Sequence, residues 1–196
     1  MAMWVAAVAL AISGCTGDDD GVNHRAQIDE LPATAPPGEL LCDMLPVDTV
    51  TTVTGTGDVE AEGGADRDSS GKFAGTPRCR IMIEGEHGDI LHGNVPWAEG
   101  NSLNSFEAGL DDDRFNQLPD EVGLGFSWTE ENSSGESSST RGHARLLHGS
   151  RVVEMDLAQM VEGRDPEADA IAVAQQVIET LELGDEWILP GDPPSR

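Results

Sequence analysis

The chain has 196 residues, with 37 acidic and 11 basic side chains, a formal charge of −26, 4% aromatic residues and no tyrosine. A surface this acidic repels phosphate backbones, so no nucleic-acid partner is expected. The length fits one ordinary domain with chain left over for extended ends, and an apolar fraction of 38% is low for a chain folded throughout.

Residues 1–12 are uncharged and apolar, from Met1 through Trp4 to Ile12. The run is too short to cross a hydrocarbon core of about 30 Å as a helix, but it fits the apolar region of a signal peptide. Ile12-Ser13-Gly14-Cys15 follows at once and resembles the bacterial lipobox. That resemblance implies a signal peptide over 1–14, a diacylglycerol on the Cys15 thiol, and attachment to the outer face of the cell membrane. No Lys or Arg precedes the apolar run, a departure that a more upstream translation start would explain. Two acyl chains suffice for stable anchoring, and they would hold a polyanion beside an anionic surface that repels it. Residues 15–38 carry Asp18, Asp19, Asp20, Pro32, Pro36 and Pro37 with few large apolar side chains, and read as an extended acidic tether.

One domain is expected over 39–184. Leu40, Leu41, Met44 and Leu45 predict a short helical face. Pro46 interrupts it, and Asp48 is placed to cap a second short helix that Gly55 and Gly57 end. Thr56 to Thr76 is Gly- and Asp-rich and reads as a loop. Strands are predicted over Arg80–Glu84 and Asp89–Val95, and a helix over Ser102–Asp113 with Leu103, Phe106 and Leu110 on one face. A strand is expected at Gly125–Thr129, a Ser/Glu loop at Glu130–Thr140, and a hairpin formed by His143–His148 and Arg151–Ala158. In its second arm Val153, Met155 and Leu157 alternate with Glu154 and Asp156, the period of a half-buried strand. Asp165 as N-cap, Pro166 at the first helical position and Gly184 at the left-handed C′ position bound the last helix, and 185–196 is a tail. Together these predict an α+β fold, an antiparallel sheet packed by helices on one face.

Three cysteines are present. With Cys15 lipidated, Cys42 and Cys79 remain, and a disulfide between them is the natural pairing in an exported chain. Two separate buried thiols are the alternative, and a zinc site lacks companion ligands.

Lipobox Cys15, a Pro-rich tether, and Glu39-Leu40-Leu41-Cys42-Asp43-Met44-Leu45-Pro46-Val47-Asp48 resemble the start of the DUF3558-type lipoproteins of actinobacteria. Cys79-Arg80-Ile81-Met82 matches the second Cys that opens a strand in that family. The resemblance spans about 39–183. It departs in the aromatic that usually follows the second Cys and in the late extra Cys of some members. It implies a surface-anchored domain of unknown function, with no catalytic residues to transfer. A PsbP-like sandwich enters only as a fold analogy.

No nucleophile elbow, Walker loop, His-Glu-x-x-His or dinucleotide fingerprint occurs, and no cofactor or metal is expected. His87 and His92 flank one predicted strand, and His143 and His148 another. Residues five apart point to opposite faces, so each pair is split. Asp111-Asp112-Asp113 reads as a solvated run rather than a cation site. Trp97 and Trp128 are the candidate ligand-binding residues, with core packing as the alternative reading of each. The expectation is a membrane-anchored, non-enzymatic lipoprotein on the extracytoplasmic face that binds a protein or envelope component. The rivals are a carrier or sensor of a small apolar or lipid ligand, and an envelope hydrolase testable at His92 and His143.

Overall fold

A computed structural model describes residues 39–84, 88–134 and 137–185, apart from the side chains of residues 132–138. Cys15, the signal peptide and tether, His24, His87 and the tail beyond Asp185 lie outside the described residues.

The chain begins with two short strands, β1 (Leu40–Leu41) and β2 (Leu45–Pro46), paired antiparallel. This replaces the predicted first helix. Cys42 and Asp43 sit at φ 54° and 56°, and the Met44 N–H donates to the Leu41 carbonyl at 3.1 Å. Two central residues with positive φ make the tight turn that joins twisted strands. Met44 and Leu45 are buried all the same. Helix α1 (Val47–Thr54) follows. Its N-cap is Pro46 rather than Asp48, which lies in the first turn, and Gly55 ends it at φ 74° with its N–H on the Thr51 carbonyl.

Seven strands form the main sheet, all neighbours antiparallel, in the order β3-β4-β5-β9-β8-β7-β6. β3 (Val59–Gly64) was expected to be loop. Its Glu60 and Glu62 are exposed on the sheet edge, where charge discourages pairing with other chains, and that polar pattern hides the strand from periodicity. β4 (Arg78–Ile83) and β5 (Asp89–Asn94) complete a meander. Helix α2 (Gly100–Leu110) then carries the chain to the far edge. From there β6 (Asn116–Gln117), β7 (Gly125–Ser134), β8 (Ser137–His148) and β9 (Arg151–Ala158) step back until β9 joins β5. The predicted Ser/Glu loop is in fact the far half of the β7–β8 hairpin, which runs to Ser134↔Ser137.

Helix α3 (Pro166–Thr180) lies across β8 and β9. Asp165 caps it as predicted, accepting from the backbone N–H groups of Glu167 and Ala168. It ends sooner than predicted. Glu182, not Gly184, takes the left-handed position at φ 50°, and the Leu183 N–H closes on the Ile178 carbonyl. The main core sits beneath α3 and α1, with Ile81, Leu91, Leu146, Met155, Leu157 and Ile171 fully enclosed. Thr49 of α1 donates to Gln176 of α3 at 2.5 Å. The α+β class and antiparallel sheet stand as predicted. Helices α1 and α3 share one face, whereas α2 covers part of the other, through Phe106, Phe126 and Val152. Val152 and Val153 are adjacent on β9, so they point to opposite faces and separate the two clusters.

Cys42 and Cys79 form a disulfide, with Cα atoms 5.6 Å apart. It ties the β1–β2 turn to β4 at the buried Cys79. Among the described residues no helix is long and apolar enough to cross a membrane.

Candidate functional site

On the face of the sheet opposite α3 the pairing register places one row of side chains straight across the strands. Glu62, Arg80, His92, Asp156, His143 and Trp128 are successive partners on β3, β4, β5, β9, β8 and β7. Directly opposed side chains on one face lie about 5 Å apart, close enough to interact in sequence.

Asp156 is the centre of this row. Its Oδ1 accepts from Arg145 Nη2 at 2.8 Å and lies 2.6 Å from His143 Nδ1, and its Oδ2 lies 3.7 Å from His92 Nδ1. Burial alone would push the carboxyl up. The His143 hydrogen bond and the Arg145 guanidinium outweigh it and bring Asp156 down to about 2. The His143 ring is stacked parallel on Trp128, with centroids 4.4 Å apart. Its Nε2 is buried without a hydrogen-bond partner and has the Glu130 carboxylate 3.5 Å away.

Beyond Trp128 the rings continue. Phe115 lies 4.7 Å from Trp128, and Phe126 stacks on Phe115 at 5.1 Å and meets Phe106 of α2 at 5.6 Å. Between α2 and the sheet these rings wall a cleft of about 180 Å³ whose rim carries Ser102, Ser105, Arg145 and Glu154. Phe115 and Trp128 also border a wider opening of about 560 Å³ at the edge of β7, with Arg114, Asn116, Thr129 and Glu167. Glu167, from the first turn of α3, is buried there and accepts from Asn116, Ser127 and Thr129. β6 pairs with β7 only at Phe126 and Ser127, so beyond Ser127 no described strand covers that edge.

The two candidate tryptophans do not meet. Trp128 belongs to the ring stack. His143, Phe115 and the Arg145 guanidinium all lie against its ring, so it offers no free platform for a sugar ring. Trp97 bridges to Arg151 at the start of β9, whose side chain falls on the same side of the strand as Val153 and Met155. The Arg151 guanidinium sits 3.6 Å above the Trp97 ring and 5.4 Å from Phe73, and Arg67 covers Phe73 at 4.2 Å. Arg151 is 5% exposed, and burial pushes it down to about 10. This cluster closes the end of the main core.

His92 and His143 converge on the Asp156 carboxylate. Among the described residues no group of three or more His, Cys, Asp or Glu is arranged to hold an ion. His148 faces elsewhere, its Nε2 3.0 Å from the Leu183 carbonyl, so His143 and His148 are split as predicted. Asp112 of the acidic run is engaged with Arg114, which holds its carboxyl down at about 2.

Arg145, Asp156, Glu154, Phe115 and Glu167 are the site residues that sequence reasoning missed. The alternation along β9 already set Glu154 and Asp156 opposite the core. Only the pairing of β5, β9 and β8 shows what stands beside them.

No family model matches the chain, and no curated protein and no solved structure matches it. The likeness to DUF3558-type lipoproteins therefore rests on the motif residues alone.

Proposed function

We propose that this chain is an extracytoplasmic lipoprotein, anchored through a lipid on Cys15, that binds a protein or envelope component and performs no reaction of its own. The observation that carries this reading is the Cys42–Cys79 disulfide, which suits a domain exposed to an oxidising compartment. The Ile12-Ser13-Gly14-Cys15 sequence supplies the matching address and attachment point. Binding rather than hydrolysis is favoured at the His143–Asp156 pair. Among the described residues no hydroxyl or thiol is hydrogen-bonded to His143 Nε2.

The test is expression of the full chain in an actinobacterial host fed an alkyne-tagged fatty acid. The expected result is a tagged, membrane-bound protein that protease removes from intact cells. Cys15→Ala should abolish the tag and release the protein. An untagged cytosolic protein with free thiols at Cys42 and Cys79 would overturn the reading. Crosslinking on intact cells should then recover a reproducible envelope partner.

A second reading, a carrier or sensor of a small ligand, is favoured by the cleft between α2 and the sheet, which is walled by Phe106, Phe115, Phe126, Trp128 and Val152. Such a ligand would sit on the α2 side, since the layer beneath α3 is filled by the main core.

A further inference from the structure

We infer that the cleft under α2 is a site for a small organic ammonium ion, a primary amine on an apolar body about the size of one ring. The inference rests on the reading of that cleft as a ligand site and adds the charge and size of the ligand.

Size comes from the volume. The cleft measures about 180 Å³. An apolar cavity of about 150 Å³ accepts benzene, so one ring or a short branched alkyl group fits and a lipid tail does not. The floor and walls are Phe106, Phe115, Phe126, Trp128 and Val152, surfaces suited to such a body.

Charge comes from the polar atoms that face it. Two of them line the cleft with capacity unspent. The Ser102 Oγ is buried and has no hydrogen-bond partner. Glu154 is tied by a single described hydrogen bond, Asn94 Nδ2 to its Oε2 at 2.8 Å, which leaves its other oxygen uncommitted. The one cation on the rim, Arg145, stands directly opposite Glu154 in the β8–β9 register, with its guanidinium 5.1 Å from the Trp128 ring centroid. Its Nη1 donates to the carbonyls of Ala144 and Met155, and its Nη2 binds Asp156. One guanidinium is thus set against two carboxylates, Asp156 and Glu154, which leaves the rim net negative. A carboxylate and a hydroxyl acceptor beside an apolar wall are the complement of an alkylammonium group. A carboxylate ligand would meet Glu154 as a like charge, within a chain of net charge −26. A ring-sized ammonium can arrive as a free amine or as a lysine side chain, and the chemistry recognised is the same.

The test titrates the intact domain by calorimetry with phenethylammonium, with the neutral 2-phenylethanol and the anionic phenylacetate as controls, and with N-acetyl-lysine amide as the side-chain form. Saturable binding of phenethylammonium is expected, about tenfold or more tighter than the alcohol, with no detectable binding of phenylacetate. Glu154→Gln keeps the shape and should weaken phenethylammonium about tenfold while leaving the alcohol unchanged. Ser102→Ala should weaken the amine without lowering the melting temperature, because the hydroxyl it removes has no partner to lose. Tighter binding of the lysine derivative than of phenethylammonium would assign the site to a protein side chain. Equal binding of amine and alcohol, unaltered by Glu154→Gln, would overturn the charge inference and leave the cleft reading standing. Absence of saturable binding by every probe to the folded domain would overturn both.

Discussion

At Asp156 two opposing effects meet in one carboxyl. Burial favours its neutral form, while His143 and Arg145 favour the ion and win. Its acidity is therefore higher in the folded chain than in the unfolded one, shifted from 3.8 to about 2. Stabilisation from such a group is complete above pH 4 and is lost as pH falls through 2, and it amounts to about 2 kcal/mol. Asp156→Asn should flatten the decline in stability between pH 4 and pH 2. At neutral pH it should cost about 2–3 kcal/mol by leaving Arg145 unpaired. Urea titrations across that range check both parts, and an unchanged acid limb in the variant would contradict the assignment. Arg151 is a different case, a buried cation held by flat surfaces and the Val95 carbonyl, with no described carboxylate partner. Lysine keeps the charge but cannot lie flat between Trp97 and Phe73. Arg151→Lys should therefore cost about 1–2 kcal/mol in denaturant unfolding.

Among the elements, the approach of α3 to β8 is the tightest junction. A Cβ placed on Gly142 would lie 2.0 Å from the Pro166 carbonyl oxygen and 2.4 Å from the Glu167 nitrogen, both backbone atoms that cannot swing aside. Gly142→Ala should therefore lift the first turn of α3 off the sheet and cost about 3 kcal/mol. It should also loosen Glu167 from Ser127 and Thr129, which amide exchange at Ala168 and Asp169 would register. A wild-type melting temperature in this variant would show that the helix end tolerates displacement. The β1–β2 turn shows the opposite balance. Leu40, Leu41, Met44 and Leu45 have helical spacing, yet two left-handed residues and the disulfide at Cys42 make a hairpin of them. Local propensity in so short a segment is weaker than a covalent tie and the burial of Met44 and Leu45.

For the whole molecule, the disulfide and the charge set the stability from opposite directions. Cys42 and Cys79 are 37 residues apart in sequence. Opening that loop should cost about 3–4 kcal/mol in the chain-entropy model. The double variant Cys42→Ser/Cys79→Ser should unfold at correspondingly lower urea, and dithiothreitol should lower the wild type to the same midpoint. A chain with 37 acids against 11 bases repels itself. Half-molar sodium chloride should raise the melting temperature, and a flat response would mean that the charge is too dispersed to matter. Dispersal is partial at most. Glu60, Glu62, Glu130 and Glu131 are exposed, on the edge strand β3 and along β7, where they keep strand edges from joining those of another copy.

The sequence by itself determined the α+β class, the β4, β5 and β9 strands, the Asp165-capped last helix, the Gly55 stop and the pairing of Cys42 with Cys79. Each is written in a short window: an alternation, a cap, a helical stripe, or a count of thiols. Where polar composition masked the pattern, as in Glu60–Glu62 and the far half of the β7–β8 hairpin, strands read as loops. Nothing local marks a strand that is held only by its neighbours' hydrogen bonds. Trp128 was legible as a candidate; that His143, Phe115 and Arg145 crowd its ring was not. Nor was the row from Glu62 to Trp128, whose members lie on six strands in an order unlike their order in the chain. Only the tertiary structure could decide that arrangement. Sheet order and register arise from burying Val153, Met155 and Leu157 under α3, and the opposite side of β9 then carries Glu154 and Asp156 to whatever stands beside them.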